Sequence, residues 1–185
     1  MFKETIKNAD VRMAKAVEVV RHELSRIRTG KATTSLLEGI KVDYYGNPTP
    51  IGQVGTLSTP DIHTITVQVW DKSAIQAVEK AILNSNLGLN PITDGQLVRI
   101  PIPTLNEERR KELVKLIKTK AEDQKVAIRN VRRDAIEHLK KAEKDEHISE
   151  DERKRSETEV QKLTDKHIKE VDNIFQQKEK EIMEV

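Results

Sequence analysis

No cysteine occurs in the chain, which excludes disulfides, thiolate metal sites and thiol nucleophiles together. Aromatic residues make up only 3% of 185 positions, so the apolar content must be spread along extended surfaces rather than gathered round large rings. Charge of one sign is lacking too. The 33 Lys and Arg nearly cancel 31 Asp and Glu, which excludes a uniformly polyanion-coating protein and leaves only local segregation of charge as the basis of a nucleic-acid site. No apolar run approaches the roughly 18 residues of a membrane span. Met1-Phe2-Lys3-Glu4 moves straight into amphipathic sequence, without a basic-then-apolar leader. These features predict a cytoplasmic protein.

What the chain has in quantity is helical periodicity. Phe2, Ile6, Ala9, Met13, Val17, Val20, Leu24 and Ile27 recur at steps of three and four, predicting a helix over roughly residues 2–28 that ends at Arg28-Thr29-Gly30. Ile117, Ala121, Gln124, Ile128, Val131, Ala135, Leu139 and Ala142 sustain a near-heptad seam to about Lys144. Thr104 and Glu107 have the spacing of a capping box before this second long helix. Ser149 and Glu152 have it before a third, whose seam is Val160, Leu163, His167, Val171, Ile174, Lys178 and Ile182 and which is expected to run to the terminus. Each stripe is narrow, so the three helices must bundle.

Between them the composition changes. All seven glycines fall from Gly30 to Gly95 and all six prolines from Pro48 to Pro103, with both tyrosines and the only tryptophan. Such punctuation marks short strands and turns. Residues 40–45, 62–69 and 97–100 read as strands, with turns at Tyr45-Gly46-Asn47-Pro48, Ser58-Thr59-Pro60-Asp61 and Gly88-Leu89-Asn90-Pro91. Asp71 can cap a short helix over about 73–83. The expected fold class is therefore α+β. It combines an antiparallel three-helix bundle from residues 1–30 and 105–185 with an inserted β/α/β domain at 31–104. Thr29, Gly30 and Lys31 form one hinge linker, and Pro101, Ile102, Pro103 and Thr104 the other.

The near-neutral total hides a basic half-helix. Residues 105–133 carry ten basic and five acidic side chains, whereas residues 134–185 carry eleven and sixteen. Lys111, Lys118, Lys125 and Arg132 are spaced by seven, with Lys115 and Arg129 on the adjacent register, which predicts a cationic stripe on the side of the helix away from its seam. The simple reading is a solvated outer face. Against it, acidic partners between Lys111 and Arg133 are limited to Glu112, Glu122 and Asp123, and Arg129, Arg132 and Arg133 share one turn, where guanidinium forks can grip neighbouring phosphates. With no aromatic platform on the helices, contact would be to phosphates and the shape of folded RNA. A coiled-coil scaffold or holdase would explain the helices but not the clustered arginines.

Enzyme signals are weak. The histidines at 22, 63, 138, 147 and 167 never stand three or four apart, and no nucleotide-binding or nucleophile-elbow motif occurs. No catalytic residue, metal site or cofactor is expected. His167 reads as a core residue. Tyr44, Tyr45 and Trp70 are read either as core of a small sheet, the simpler choice, or as exposed contacts for a protein partner.

Seven segments in order resemble bacterial ribosome recycling factors: residues 26–32 (Arg-Ile-Arg-Thr-Gly-Lys-Ala), 44–50 (Tyr-Tyr-Gly-Asn-Pro-Thr-Pro), 78–82 (Val-Glu-Lys-Ala-Ile), 87–91 (Leu-Gly-Leu-Asn-Pro), 107–111 (Glu-Glu-Arg-Arg-Lys), 129–134 (Arg-Asn-Val-Arg-Arg-Asp) and 148–151 (Ile-Ser-Glu-Asp). The resemblance implies an L-shaped, monomeric, non-enzymatic protein that binds the post-termination ribosome. With elongation factor G and GTP it would separate the subunits, the bundle lying on large-subunit rRNA near the inter-subunit bridge region. It also implies ribosome contact by Arg110, Arg129 and Arg132, with Arg28 at the hinge end of the bundle. Lys31 stands where the family often has arginine, so the cation is kept without its bidentate fork. Arg133 and Lys111 join the candidates from the charge argument alone.

Overall fold

Helical propensity and apolar phase produce three long helices and one short one in the computed structural model, which describes residues 2–184 apart from the side chain at position 146. Helix α1 spans Phe2–Ser25, α2 Ile75–Leu83, α3 Glu107–Glu146 and α4 Glu150–Met183. The chain divides into two units, one of residues 1–28 with 107–185, the other of residues 29–106. The divisions therefore fall two residues from those expected, because residues 29, 30, 105 and 106 cluster with the sheet unit.

In the first unit α1, α3 and α4 pack pairwise against one another. Ion pairs fix their directions. Arg12 meets Asp134 at 2.8 Å and Lys120 meets Glu23 at 3.5 Å, so α1 and α3 run antiparallel. Arg153 meets Glu143 at 2.7 Å and Lys125 meets Asp172, which makes α3 and α4 antiparallel as well. The core is the stripe from each helix: Met13, Val20 and Leu24 with Ile117, Ile128, Leu139, Val160 and Val171 are all at most 1% exposed. Alanines at 9, 16, 121 and 135 let the backbones approach between these larger groups. Three polar side chains of this unit are buried, Ser156, Thr164 and His167, and His167 Nδ1 has no hydrogen-bond partner among the described residues. Thr164 donates back to the Val160 carbonyl at 2.8 Å, and His167 Nε2 lies 2.7 Å from Asp10. His167 is thus the packed seam residue its spacing implied.

Helix α1 stops three residues earlier than expected. Ser25 Oγ bonds the His22 carbonyl at 2.7 Å and the Ile27 amide turns back to Leu24, a local bonding that competes with further helix. Ser149 caps α4 by accepting from the Glu152 amide at 3.3 Å. Thr104 does not cap α3. The helix opens at Glu107, so its cap position is 106 and the Thr104/Glu107 spacing is out of phase by two residues. The last helix ends at Met183, and residue 185 lies outside the described residues.

The second unit has more strands than the sequence reading supplied. Strands β1 (Lys41–Tyr44) and β2 (Asn47–Pro50) form a hairpin, while β3 (Gly55–Asp61), β4 (Thr64–Val69), β5 (Ile92–Asp94) and β6 (Leu97–Pro101) make an antiparallel sheet ordered β3-β4-β6-β5. The first turn is only Tyr45-Gly46, both at positive φ (50° and 81°), the backbone that a two-residue hairpin loop demands. Asn47 and Pro48 are therefore strand, and so are Ser58 to Asp61; their prolines sit on edge strands, where a missing N–H costs no ladder bond. Strand β6 is interior rather than closing. The core joins Val67, Val98 and Ile100 of the sheet to Val78 and Ile82 of α2.

Asp71 organises one end of this unit. It accepts from the Ser73 amide at 2.9 Å and hydroxyl at 2.7 Å, and from the hydroxyls of Tyr45 and Tyr44 at 3.0 and 3.1 Å. It thereby caps the 3₁₀ turn Lys72–Ala74 that leads into α2 and ties the hairpin to it. The Ser73 bonds, then those of the tyrosines, lower its pKa from 3.8 to about 2. A lowered folded-state value contributes stability above the ordinary carboxylate range that disappears as pH falls towards about 2. Asp71→Ala should lower the neutral-pH melting temperature of the sheet unit and remove part of its acid sensitivity below about pH 4; unchanged melts across that range would show the network to be energetically idle.

Candidate nucleic-acid interface

Helix phase decides which cations on α3 are available. A seven-residue spacing lags a straight helix by about 20° per heptad, so the line Lys111, Lys118, Lys125, Arg132 rotates by roughly 60° towards α4 along its length. Lys111 and Lys118 are exposed, but Lys125 keeps only 14% of its side-chain surface and binds Asp172 and Glu122. Burial pulls the Lys125 pKa down, yet the hydrogen bonds and charges of Asp172 and Glu122 outweigh it and leave the value raised. Arg132 is half-buried against α4, with Nη1 donating to Gln161 at 3.2 Å. The expectation that this whole line faces away from the seam is thus corrected: it begins on the outer face and ends in the α3–α4 groove.

The outer face proper consists of Lys111, Lys115, Lys118, Arg129 and Arg133, all exposed. Lys111 has a helical partner in Glu107 at 3.1 Å. The other four have no ion pair among the described residues. Lys140 and Lys144 continue the same face, also exposed, so that it runs roughly 50 Å from Lys111. These two were concealed by the acidic total of residues 134–185, since counting by segment mixes α3's last turns with α4. Val126 is 49% exposed on the same side, an apolar contact set among cations.

The remaining candidates lie elsewhere. Arg110 is half-buried, seven residues before Ile117 and therefore on the seam line rather than the outer face. Arg28 is exposed three residues beyond α1, and Lys31 is a half-buried member of the sheet unit. Of the hinge residues, Pro101 ends β6, and Ile102 is 9% exposed with its amide donating to the His63 carbonyl at 2.7 Å. Both belong to the sheet unit rather than to a free linker. Gly30 has φ of 77°, and a Cβ there would stand 3.3 Å from Leu105 Cγ. In the sheet unit Tyr44 is half-buried, whereas Tyr45 and Trp70 are 75% and 61% exposed. Sheet core is therefore the wrong reading for those two. Asp71 holds the Tyr45 hydroxyl and Thr56 accepts from the Trp70 ring nitrogen at 3.2 Å, bonds that fix the rings at the surface.

Among the described residues no three His, Asp or Glu side chains converge as metal ligands, and no helix is long and apolar enough to cross a membrane. Fold and surface together give the class of an α+β protein: a three-helix bundle with a row of exposed cations along α3, and a separate small sheet unit. Comparison makes this particular. Residues 20–183 match the model of the ribosome recycling factor family. The ribosome-recycling factor of Symbiobacterium thermophilum is 55% identical over 185 residues, covering 100% of both chains. That of Oleidesulfovibrio alaskensis is 57% identical over 94% of this chain and 95% of its own. A solution structure of the ribosome recycling factor aligns with TM-score 0.74 at 47% identity over 100% of this chain and 98% of its own. A model of the T. thermophilus factor, bound with E. coli elongation factor G to the E. coli post-termination complex, aligns at TM-score 0.63 and 47% identity over 100% of each chain. The chain belongs to the ribosome recycling factor family, a family of translation factors and not of enzymes.

Lys125 and Arg133 offer a direct contrast. Lys125→Met should destabilise the bundle, by about 1 kcal/mol at most because its partners Asp172 and Glu122 remain open to solvent, and leave RNA affinity nearly unchanged. Arg133→Ala should do the reverse. Equal loss of RNA binding in both, by filter binding with a ribosomal RNA fragment, would contradict this division of roles.

Proposed function

We propose that the protein acts in the cytoplasm as a monomeric ribosome recycling factor. It binds the post-termination ribosome and, with elongation factor G and GTP hydrolysed by that factor, promotes subunit separation and release from messenger RNA. The observation that carries the molecular reading is the row of exposed cations on α3, four of them without ion-pair partners, on a chain of this family. The related factor aligned above, bound beside elongation factor G on a ribosome, supports the choice of partners.

In this reading Lys111, Lys115, Lys118, Arg129 and Arg133 contact large-subunit rRNA phosphates near the inter-subunit bridge region, with Arg132 reaching from the groove beside them. Contacts of this kind release condensed counterions, so binding weakens steeply with salt. Three mutually packed helices resist bending, whereas the connections at residues 29–31 and 103–104 are single strands of chain. Force delivered to the sheet unit by the elongation factor then turns it about those connections while the bundle acts as a wedge. No cofactor is required of this chain.

Two measurements separate the roles. Arg132→Ala should weaken co-sedimentation with intact ribosomes and lower the salt slope by about one unit, with the melting temperature little changed; binding equal to wild type at every salt concentration would remove Arg132 from the interface. Gly30→Val, which sets a β-branched side chain at positive φ against Leu105, should leave ribosome binding nearly intact and reduce subunit splitting in light scattering. Splitting at the wild-type rate would argue against motion at this connection.

A further inference from the structure

The α3–α4 groove treats two cations on one heptad line in opposite ways. Lys125 is neutralised by Asp172. Because the helices are antiparallel, the next cation along, Arg132, should meet the acid one heptad back on α4, which is Asp165. It does not. Arg132 Nη1 donates to Gln161 Oε1 at 3.2 Å, Gln161 Nε2 donates to Asp165 Oδ1 at 2.9 Å, and Arg132 has no ion pair among the described residues. The orientation of the amide is forced, since a guanidinium only donates and a carboxylate only accepts.

We propose that Gln161 is a positioning residue that keeps Arg132 from pairing with Asp165, so that the arginine is held at the groove with its full charge available to an RNA phosphate. The inference rests on the reading of Arg132 as an rRNA contact. The amide fills the Asp165 acceptor and offers Arg132 a neutral one, fixing its guanidinium without cancelling it. An arrangement chosen for stability alone would look different. Arg132 Nε is buried without a hydrogen-bond partner, an unmet donor that a direct fork onto Asp165 could relieve. Gln161 and Asp165 are both exposed, so neither is required by the bundle core and both can be exchanged without unfolding it.

The test is a set of four variants measured by ribosome co-sedimentation from 50 to 200 mM salt, each checked by thermal melting. Gln161→Ala frees Arg132 to pair with Asp165. It should weaken binding as Arg132→Ala does, and the ratio of affinities between the two salt limits should fall by about threefold, the share of one phosphate contact. Gln161→Ala combined with Asp165→Asn removes the competing acid and should restore both affinity and slope, a rescue that a merely structural role for Gln161 would not give. Gln161→Ala combined with Arg132→Ala should be no weaker than Arg132→Ala. Wild-type behaviour of Gln161→Ala, or failure of Asp165→Asn to rescue it, overturns the proposal while Arg132→Ala still weakens binding. Wild-type binding by Arg132→Ala itself overturns the rRNA reading of Arg132, and the positioning role with it.

Discussion

Three apolar stripes, each too narrow to shield a helix from water, can be buried only by one another, and this single requirement organises the molecule. It brings the first 25 residues against a helical pair that begins more than eighty residues later, so the intervening chain must depart from the bundle and return to it. It also sets which side chains remain outside. Once Ile117, Ile128 and Leu139 face inward with no exposure, the angular position of every charge on α3 follows. The cationic face is thus a consequence of core packing: Lys115, Arg129 and Arg133 stand opposite the seam, while Lys125 and Arg132 are carried to its edge.

That dependence explains what could be read from residues alone. Apolar spacing located all three long helices and the buried His167, because burial at steps of three and four is a property of one helix and needs no knowledge of its neighbours. The charge row was found by the same periodicity but assigned one orientation along its length. A strict seven-residue count ignores the drift of a straight helix, and over the interval from Lys111 to Arg132 the error grows to most of a helix flank. Gln161 carries no charge and no periodic signal, so its role emerges only when α4 is laid beside α3.

The sheet unit shows the opposite limit. Alternation found β4 and β6, whose inward residues Ile65, Val67, Val98 and Ile100 are fully buried. It missed β2, β3 and β5, whose residues are mostly exposed. Edge strands bury little and tolerate proline, so their sequences resemble turns, and Pro48 and Pro60 led to that assignment. The exposed Tyr45 and Trp70 were misread for a related reason: a rare aromatic residue is expected inside, yet here Asp71 and Thr56 hold the polar edges of these rings at the surface.

Near-neutral net charge suits the proposed role, in which the protein must find one surface of a very large polyanion. With 33 cations against 31 anions, the molecule has almost no monopole, and beyond a Debye length of about 8 Å at physiological salt nucleic acid does not attract it indiscriminately. At contact distance the balance breaks. The outer face of α3 offers cations without partners, while on α4 ten acids stand against eight bases, and Asp172, Glu157 and Glu150 are among the acids already paired. In the proposed role, the outer face of α3 supplies the contact-range attraction for a phosphate surface. Sparing Arg132 from Asp165 would extend that attraction into the groove, since an arginine paired with a carboxylate adds little to it.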